Sequence, residues 1–246
     1  MLGLDPFFDF IFSPLLKLSP GIAILIVSLI ISLIIVFATK IFTNQTEMKA
    51  LKDEMKKYQE EAKQNKDDPK KVMEIQKKSM KVNMQYMKKS FKVTFITILP
   101  ILLVFGWLNS HFTYEPLAPG EEFVVSVVGE KGVAGNVTVE PGDLSVVGAS
   151  TTPFKGEDNA AVFTFKGDKG DHLLTFTSGD HSVDKKVLIT DGRAYADIRE
   201  DYRDDVFKSV QLGNQPLKVW GLSWFWIYLI FAIVGSSLLR KVFKVY

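Results

Sequence analysis

The chain contains 246 residues, 47% of them hydrophobic, and its 30 basic and 28 acidic side chains give a formal charge of only +2. It has no cysteine, which excludes disulfides and cysteine-based metal or redox sites. The charges are strongly segregated, because three windows of 22, 22 and 21 residues, at 18–39, 93–114 and 219–239, contain no Asp, Glu, Lys or Arg. Since about 20 helical residues cross a bilayer core, each window predicts a membrane-spanning helix.

The first 20 residues reach just into the first charge-free window, which begins at residue 18. Asp5 and Pro6, followed by a phenylalanine-rich run, predict an external interfacial helix at 1–20 that is stopped by Pro20, unless this run extends the first span. Acidic residues occupy the place where a secretory signal has its basic region, so we expect no cleaved signal peptide. The first transmembrane helix is predicted at 21–42, where the stretch 22–38 consists mostly of Ile, Leu and Val.

The next segment, 43–90, is predicted to form a cytoplasmic helical hairpin. Apolar residues recur at spacings of three and four on both sides of Asn65–Pro69, where two aspartates and a proline favour a reversal of the chain. This spacing predicts an antiparallel coiled coil. Its predicted seam contains Met48, Leu51, Met55, Tyr58 and Ala62 in the first arm and Met73, Lys77, Met80, Met84, Met87 and Phe91 in the second.

The methionines of the hairpin allow two interpretations. Six of the seven in the chain lie between Met48 and Met87. They are either the core of the coiled coil, which their spacing favours, or a flexible surface for varied apolar partners. Both interpretations hold if the hairpin opens or if the membrane-proximal methionines meet a client. The candidates for client or ribosome contact are Met73, Met80, Met84 and Met87.

Two further spans enclose a segment with a β pattern. The second transmembrane helix is predicted at 91–110 and contains Pro100, while the third, at 218–240, opens with aromatic residues typical of a membrane interface. Residues 111–217 between them predict an external all-β, sandwich-like domain followed by a connector from Asp197 onward. Its predicted strands are Phe123–Val128, Asn136–Glu140, Ala161–Lys166, His172–Thr177 and Ser182–Thr190.

The charge distribution predicts the orientation. Residues 40–92 hold 15 lysines and eight acidic residues, net +7, whereas residues 109–217 hold 10 basic and 18 acidic residues, net −8. Positive loops stay in the cytoplasm, so we expect the hairpin and the basic tail at 241–246 there, and the N-terminus and β-domain outside the cell membrane. The fold class is therefore an α-helical membrane protein with three transmembrane helices, a cytoplasmic coiled-coil hairpin and an external all-β domain.

The sequence shows no constellation for catalysis. His111, His172 and His181 lack zinc-ligand spacing, and neither a phosphate-binding glycine loop nor a nucleophile elbow is present. We therefore expect neither an enzyme nor a cofactor. Asn136 begins an Asn-x-Thr sequon, which is usable only if the host glycosylates surface proteins.

Polar side chains within and beside the spans are the remaining candidates. Helical spacing places serines or threonines on one face of each span, where they either bond back to their own helix or line a hydrated groove. Lysines at the cytoplasmic ends either anchor the helices by snorkelling or lie over that groove. The groove candidates are Ser28, Ser32, Lys40, Lys92, Thr94, Thr97, Ser223 and Ser237.

Three stretches resemble a known superfamily. They are Leu4-Asp5-Pro6 with Ser13-Pro14-Leu15, Lys40–Lys52 with Thr46, Met48 and Leu51, and Ser223-Trp224 through Ser236-Ser237-Leu238-Leu239-Arg240-Lys241. With the three spans they resemble the archaeal YidC-like proteins of the YidC/Oxa membrane protein insertases. Eukaryotic relatives include a core subunit of the endoplasmic reticulum membrane protein complex and the receptor for tail-anchored proteins.

The resemblance implies an insertase whose three-helix groove opens to cytoplasm and lipid and accepts a short polar stretch of a client. Wet polar groups partway into the membrane lower the cost of crossing hydrocarbon, without ATP. It implies nascent membrane proteins and the lipid bilayer as partners, with a ribosome or targeting factor as a further one and no specific nucleic acid. Relatives carry a cation in or near the groove, and Lys40 is the nearest candidate here, although it lies at a helix end.

A different class of function fits the same segments. In a cell-surface receptor or adhesion protein, the external β-domain would bind a ligand and the spans would only anchor it. One span would suffice for anchoring, and the methionine-rich hairpin would then have no purpose. An ion channel is disfavoured because the sequence shows no charged constriction.

Overall fold

The structure is a computed structural model that describes residues 10–245, so most of the predicted interfacial helix lies outside the described residues. The chain divides into two compact units. The helical unit contains Leu18–Gly106 and the chain from Phe225 onward, and the β unit contains Phe12–Lys17 and Trp107–Trp224. A short 3-10 helix, Ser13–Lys17, precedes the first long helix.

Four long helices follow in chain order: α1 Pro20–Phe42, α2 Gln45–Gln64, α3 Pro69–Phe112 and α4 Trp224–Phe243. Three of them, α1, α3 and α4, are long and apolar enough to cross a membrane. Pro20 begins α1 rather than ending the preceding helix, because a proline in the first turn of a helix lacks an N–H that would be unpaired there in any case.

The hairpin and the second span are not separate elements. Asn44 caps α2 by accepting hydrogen bonds from the backbone N–H groups of Thr46 and Glu47, and the chain reverses between Gln64 and Pro69. From Pro69 a single helix of 44 residues continues to Phe112 and includes Pro100. Lys92 therefore lies inside a helix and does not end one.

Within the helical unit, α4 contacts both other spans. Where it crosses α1, Gly235 is so close that an added Cβ would lie 3.1 Å from Leu29 Cδ2 and 3.4 Å from Ser32 Oγ. Farther along, the rings of Phe37 and Phe243 lie 5.2 Å apart. On the α3 side, Phe105 packs edge-on against Tyr228 with ring centroids 4.9 Å apart. Small residues permit such close helix crossings in membranes.

The β unit contains two larger antiparallel sheets and a small hairpin. The orders are β3-β5-β1-β9-β8, β4-β2-β6-β7 and β10-β11. Alternating side chains of both larger sheets enclose one apolar core that includes Phe163, Phe176 and Phe207. The strands are β1 Glu122–Gly129, β2 Asn136–Glu140, β3 Ser145–Val146, β4 Thr151–Pro153, β5 Ala160–Lys166, β6 Gly170–Ser178, β7 His181–Ile189, β8 Arg199–Asp201, β9 Phe207–Leu212, β10 Lys218–Val219 and β11 Leu222–Ser223.

The five strands expected from sequence alternation are present within one or two residues, but the connector prediction is wrong. The segment from Asp197 onward contains β8 and β9, and β9 pairs with β1 inside the five-stranded sheet. Its buried side chains, Phe207, Val210 and Leu212, belong to the core. The third span also begins later than predicted, since α4 starts at Trp224 and not at 218.

The chain enters and leaves the β unit at one end. The backbone N–H of Leu217 donates to the Thr113 carbonyl at 2.9 Å, and that of Glu115 donates to the Gln215 carbonyl at 2.8 Å. Trp224 Nε1 donates to Thr113 Oγ1 at 3.0 Å, and the Tyr195 hydroxyl donates to the Asn109 carbonyl. These bonds tie the ends of the two helices that flank the β unit to each other.

Candidate functional site

The methionines of α3 lie on its outer face. Met73, Met80, Met84, Met87 and Phe91 are between 42% and 65% exposed, and we call this set the methionine stripe. The opposite face carries the buried side chains Ile75, Val82 and Val93. At 100° per residue, the two sets lie roughly half a turn apart on one helix. The α3 part of the predicted coiled-coil seam is therefore wrong, because a stripe of β-branched residues occupies the inward face instead.

The α2 part of the predicted seam turns inward. Met48 and Leu51 are buried, and Met55, Tyr58 and Ala62 are half-buried. Near its start, α2 is joined to α3 by an ion pair, with Lys89 Nζ 2.8 Å from a Glu47 carboxylate oxygen. This pair is partly exposed, so it fixes alignment more than it stabilises. The hairpin is thus closed on its Ile75–Val82 side while the methionine stripe remains uncovered.

Cations border the methionine stripe. Lys77 lies four residues after Met73 and three before Met80, and Lys88 has the same relation to Met84 and Phe91. Both lysines are exposed. The surface therefore combines flexible apolar side chains with positive charge, which suits an apolar segment that carries acidic residues or lies beside an anionic surface.

The serines and threonines deep in the spans have their hydroxyls paired. Ser28 Oγ donates to the Ile24 carbonyl at 2.7 Å, and Thr97 Oγ1 donates to the Val93 carbonyl at 3.0 Å; both side chains are buried. Ser32 Oγ donates instead across the crossing to the Ala232 carbonyl of α4 at 3.3 Å. Ser28 and Thr97 thus bond to their own helices, and Ser32 joins two helices.

The other groove candidates are exposed and do not share one face with these. Thr94 and Lys92 lie on the surface of α3, and Lys40 lies 5.8 Å from the centre of the Phe243 ring. Ser237 is exposed near the end of α4. Ser223 belongs to β11 in the β unit and not to the third span, so the sequence-based placement of Ser223 on a helix face with Ser237 is wrong.

The histidines have structural partners. His181 Nδ1 lies 2.9 Å from an Asp204 carboxylate oxygen, and this hydrogen bond raises the pKa of His181 while lowering the pKa of Asp204 to about 2. His111 Nδ1 lies 3.0 Å from the Trp107 carbonyl oxygen, and His172 Nε2 lies 2.9 Å from that of Asp168. Among residues 10–245, no group of three His, Asp or Glu side chains is arranged to hold a metal ion.

The β unit carries a polar cleft of about 430 Å³ that sequence reasoning missed. Ser126, Ser209 and Gln211 lie in it on β1 and β9, and Lys131 and Asp158 are among the charged residues that line it. Ser209 is buried, and its Oγ has no hydrogen-bond partner in the described part of the chain. No spacing signal identifies such a cleft, because its residues come from segments far apart in sequence. Asn136, the sequon residue, is exposed at the start of β2.

The family of the chain follows from its first half. Residues 7–129 match the model of the integral membrane protein EMC3/TMCO1-like family, and these residues include α1, the hairpin and α3. The chain belongs to this family. The family is part of the insertase-related superfamily that also contains the YidC and Oxa proteins, so the resemblance is confirmed at that level, and the matching family is not YidC itself. No curated protein and no solved structure matches the chain.

Membership agrees with the architecture. The family consists of integral membrane proteins related to insertases, and residues 10–245 contain three helices long and apolar enough to span a membrane and a separate β-rich region. The match ends within β1, so most of the β unit lies beyond it.

Proposed function

We propose that this protein is a membrane protein insertase that captures apolar segments of client proteins on the methionine stripe and passes short polar stretches into the bilayer. The uncovered stripe is the observation that carries the proposal. Five large apolar side chains on the water-exposed arm of a helix are costly unless a partner covers them. Their flexibility and polarisability suit clients of varied sequence.

The proposed orientation places the stripe in the cytoplasm. The +7 hairpin and the basic C-terminal end stay inside, while the acidic β unit and the N-terminus lie outside the cell membrane. Partners are then nascent membrane proteins and the bilayer, with a ribosome or targeting factor as a further partner at the basic hairpin. No catalytic residue or cofactor is required, because the protein lowers a barrier to transfer and breaks no bond.

Only some of the candidate polar residues support a hydrophilic groove of the YidC type. Lys40, Lys92, Thr94 and Ser237 are exposed and thus able to meet water or a client, although the Thr94 hydroxyl also donates to the Ser90 carbonyl at 3.3 Å. Ser28 and Thr97 are buried and have their hydroxyls satisfied within their own helices. We propose that the exposed residues assist the polar part of a client near the membrane surface. A polar group meeting these side chains would have a shorter path through hydrocarbon.

Photo-crosslinking during translation tests client capture. A photo-crosslinker replaces Met84 in one variant and Gln85 in another, and a short membrane protein is translated in their presence. Gln85 is exposed on the same turn but lies about 100° around the helix. We expect adducts with the nascent chain from position 84, with several-fold fewer from position 85. Equal yields, or adducts from neither, would contradict a client-binding stripe.

Cysteine labelling tests the orientation independently. The chain has no cysteine, and both Lys66 and Lys169 are exposed, so Lys66→Cys and Lys169→Cys each introduce one accessible thiol. In intact cells, an impermeant thiol reagent should label position 169 and spare position 66. The reverse pattern would place the hairpin outside and remove the stripe from cytoplasmic clients.

The polar cleft favours one second candidate, a surface receptor that binds a small polar ligand in the β unit. The buried, unpartnered Ser209 Oγ is the specific observation, since such groups usually have a hydrogen-bond partner. The Ser209→Val variant separates the two functions. The insertase proposal expects normal client insertion by this variant, whereas a receptor would lose ligand binding.

Glycosylation at Asn136 remains a prediction. A shift in electrophoretic mobility that is lost in Asn136→Gln would test it.

A further inference from the structure

A basic cleft of about 440 Å³ lies where the C-terminal end of α4 meets the hairpin. Its lining includes four cations, Lys52 from α2 and Arg240, Lys241 and Lys244 from the end of α4. Tyr86, Ser237 and Val245 complete the lining, and no acidic residue belongs to it. In the described part of the chain, none of the four cations forms an ion pair.

The turn that follows α4, at Lys244 and Val245, contributes to the lining of this cleft. Lys244 has a φ of +53°, a left-handed conformation that is uncommon for a residue other than glycine. The turn lets the Val245 N–H donate to the Arg240 carbonyl at 2.9 Å, and Val245 becomes buried. Phe243 is held against Phe37 of α1. Lys244 and Lys52 therefore line the same cleft.

Ordinary explanations account for only part of this arrangement. Cations near a helix C-terminus interact favourably with the helix dipole, and basic residues commonly flank a span. The left-handed Lys244 and the Val245 N–H bond form a common type of helix C-terminal cap, but none of these effects brings in Lys52 from another helix. Gathering four positive charges around one cavity without a carboxylate is electrostatically unfavourable, and a bound anion removes that cost.

The height of the cleft identifies the source of the anion. The charge-free window of α4 ends at Leu239, so Arg240 is the first charge beyond the apolar span. Ser237 lies one turn inside that window. The cleft therefore lies at the boundary between hydrocarbon and headgroups, where anionic lipids present their phosphates to lysine and arginine.

We infer that this cleft binds a phosphate anion, presented by the headgroup of an anionic phospholipid. Arg240 and Lys244 provide charge-assisted hydrogen bonds to phosphate oxygens from α4, Lys52 provides one from the hairpin, and Tyr86 adds a hydroxyl donor. A bound headgroup would connect the end of the last span to the hairpin arm. This inference does not depend on capture of clients by the methionine stripe.

Lipid binding to the full chain tests the inference. The purified protein in detergent is titrated with phosphatidylglycerol, and bound lipid is counted by native mass spectrometry. In Arg240→Gln/Lys244→Gln we expect about a thirtyfold weaker affinity, the effect of removing two cations near a membrane surface. Lys70→Gln/Lys71→Gln removes the same charge from exposed hairpin positions outside the cleft and should bind as the wild type does.

Two further arms make the result decisive. Arg240→Lys/Lys244→Arg keeps the charge and should retain lipid binding, so a loss in the neutral variant cannot be attributed to misfolding. Inorganic phosphate at millimolar concentration should not displace the lipid; displacement would assign a soluble phosphate and overturn the lipid source. Equal losses in the cleft and control variants would overturn the site. Retained lipid binding with loss of ribosome binding in the cleft variant would also overturn it and assign a ribosome contact.

Discussion

The β unit and the helical unit bury their apolar residues in different ways. In the β unit, two sheets enclose nineteen buried apolar residues, and the strands alternate buried and exposed positions. In the helical unit, large apolar residues such as Leu29, Phe95 and Ile233 remain exposed along the spans. The first unit completes its core with its own chain, whereas the second requires lipid around its spans and, under the proposed function, clients on the stripe.

The largest predicted difference between the two units is the loss of stability caused by a cavity in the core of the β unit. Phe163→Ala should destabilise the β unit by about 3–5 kcal/mol, because Phe163 is buried among Phe165 and Phe176. Hydrogen exchange should accelerate in β1, β5 and β6 and stay unchanged in α1. The exposed neighbour Val162 provides the control, since Val162→Ala should change stability by less than about 0.5 kcal/mol. Faster exchange in α1 as well would show that the units do not hold their structure separately.

In the helical unit, the largest predicted loss of stability comes from a substitution of Gly235, where α4 crosses α1. Gly235→Leu forces side-chain atoms against Leu29 and Ser32 of α1, which should cost about 1–3 kcal/mol. The apparent melting temperature in detergent should fall accordingly. Gly106→Leu adds the same side chain at an exposed glycine of α3, where an added Cβ would meet no atom within 4 Å, and should have little effect. A variant as stable as the control would mean that lipid, and not this crossing, holds α1 and α4 together.

A buried lysine in the β unit predicts a smaller effect. Lys185 is 1% exposed, and its Nζ donates to the Asp197 carbonyl at 2.5 Å and lies 3.3 Å from a Glu200 carboxylate oxygen. Lys185→Met should cost about 1 kcal/mol, because the Asp197 carbonyl loses its hydrogen-bond partner while the half-exposed Glu200 turns to water. In Lys185→Met, backbone hydrogen exchange should become faster in β8 in particular. Lys186→Met, at the next and exposed position of β7, should leave exchange in β8 unaltered.

The smallest predicted effect depends on pH. The raised pKa of His181 means that its pairing with Asp204 is complete below the ordinary value of 6.5 and is lost as pH rises through the pKa in the folded protein. The Asp204 contribution is present above its ordinary value of 3.8 and is lost as pH falls through about 2. Asp180 and Asp205 also favour protonated His181.

Hydrogen exchange in β9, measured beyond its intrinsic pH dependence, should therefore increase as pH rises above 6.5, the ordinary pKa of histidine. His181→Gln should abolish that increase, because a glutamine amide does not titrate in this range. The backbone caps from Asp204 to Val206 and Phe207 are retained in this variant. An unchanged pH response in His181→Gln would assign it to another group.

The same contrast explains what the sequence could predict. Five strands were predictable because Phe163 and its equivalents alternate with exposed residues, a period that only a half-buried strand requires. Strand β9 was missed because it follows an acidic stretch and carries a register shift opposite Val128 and Gly129, which breaks the alternation. Burial of Phe207 is decided by pairing with β1, and that pairing is distant in sequence.

In α3 the periodicity itself was ambiguous. The stripe through Met80 and Met84 and the stripe through Ile75 and Val82 both repeat at helical spacing on opposite faces. The methionines suggested a seam, but Val82 and Ile75 face inward. Which groove candidates bond within their own helix was undecided for a different reason, because the Ser28 hydroxyl finds its partner within one helix turn and the sequence carries no sign of that choice.

The length of the methionine stripe along α3 has a consequence for the clients that it would bind. Met73 and Phe91 are 18 residues apart, so the methionine stripe extends about 27 Å along the helix axis, close to the ~30 Å of a bilayer core. A client helix lying along it would be shielded over almost the full length that must later be embedded in lipid. Under the proposed function, the stripe therefore favours client segments about as long as a membrane span. Much shorter segments would leave part of the stripe exposed to water.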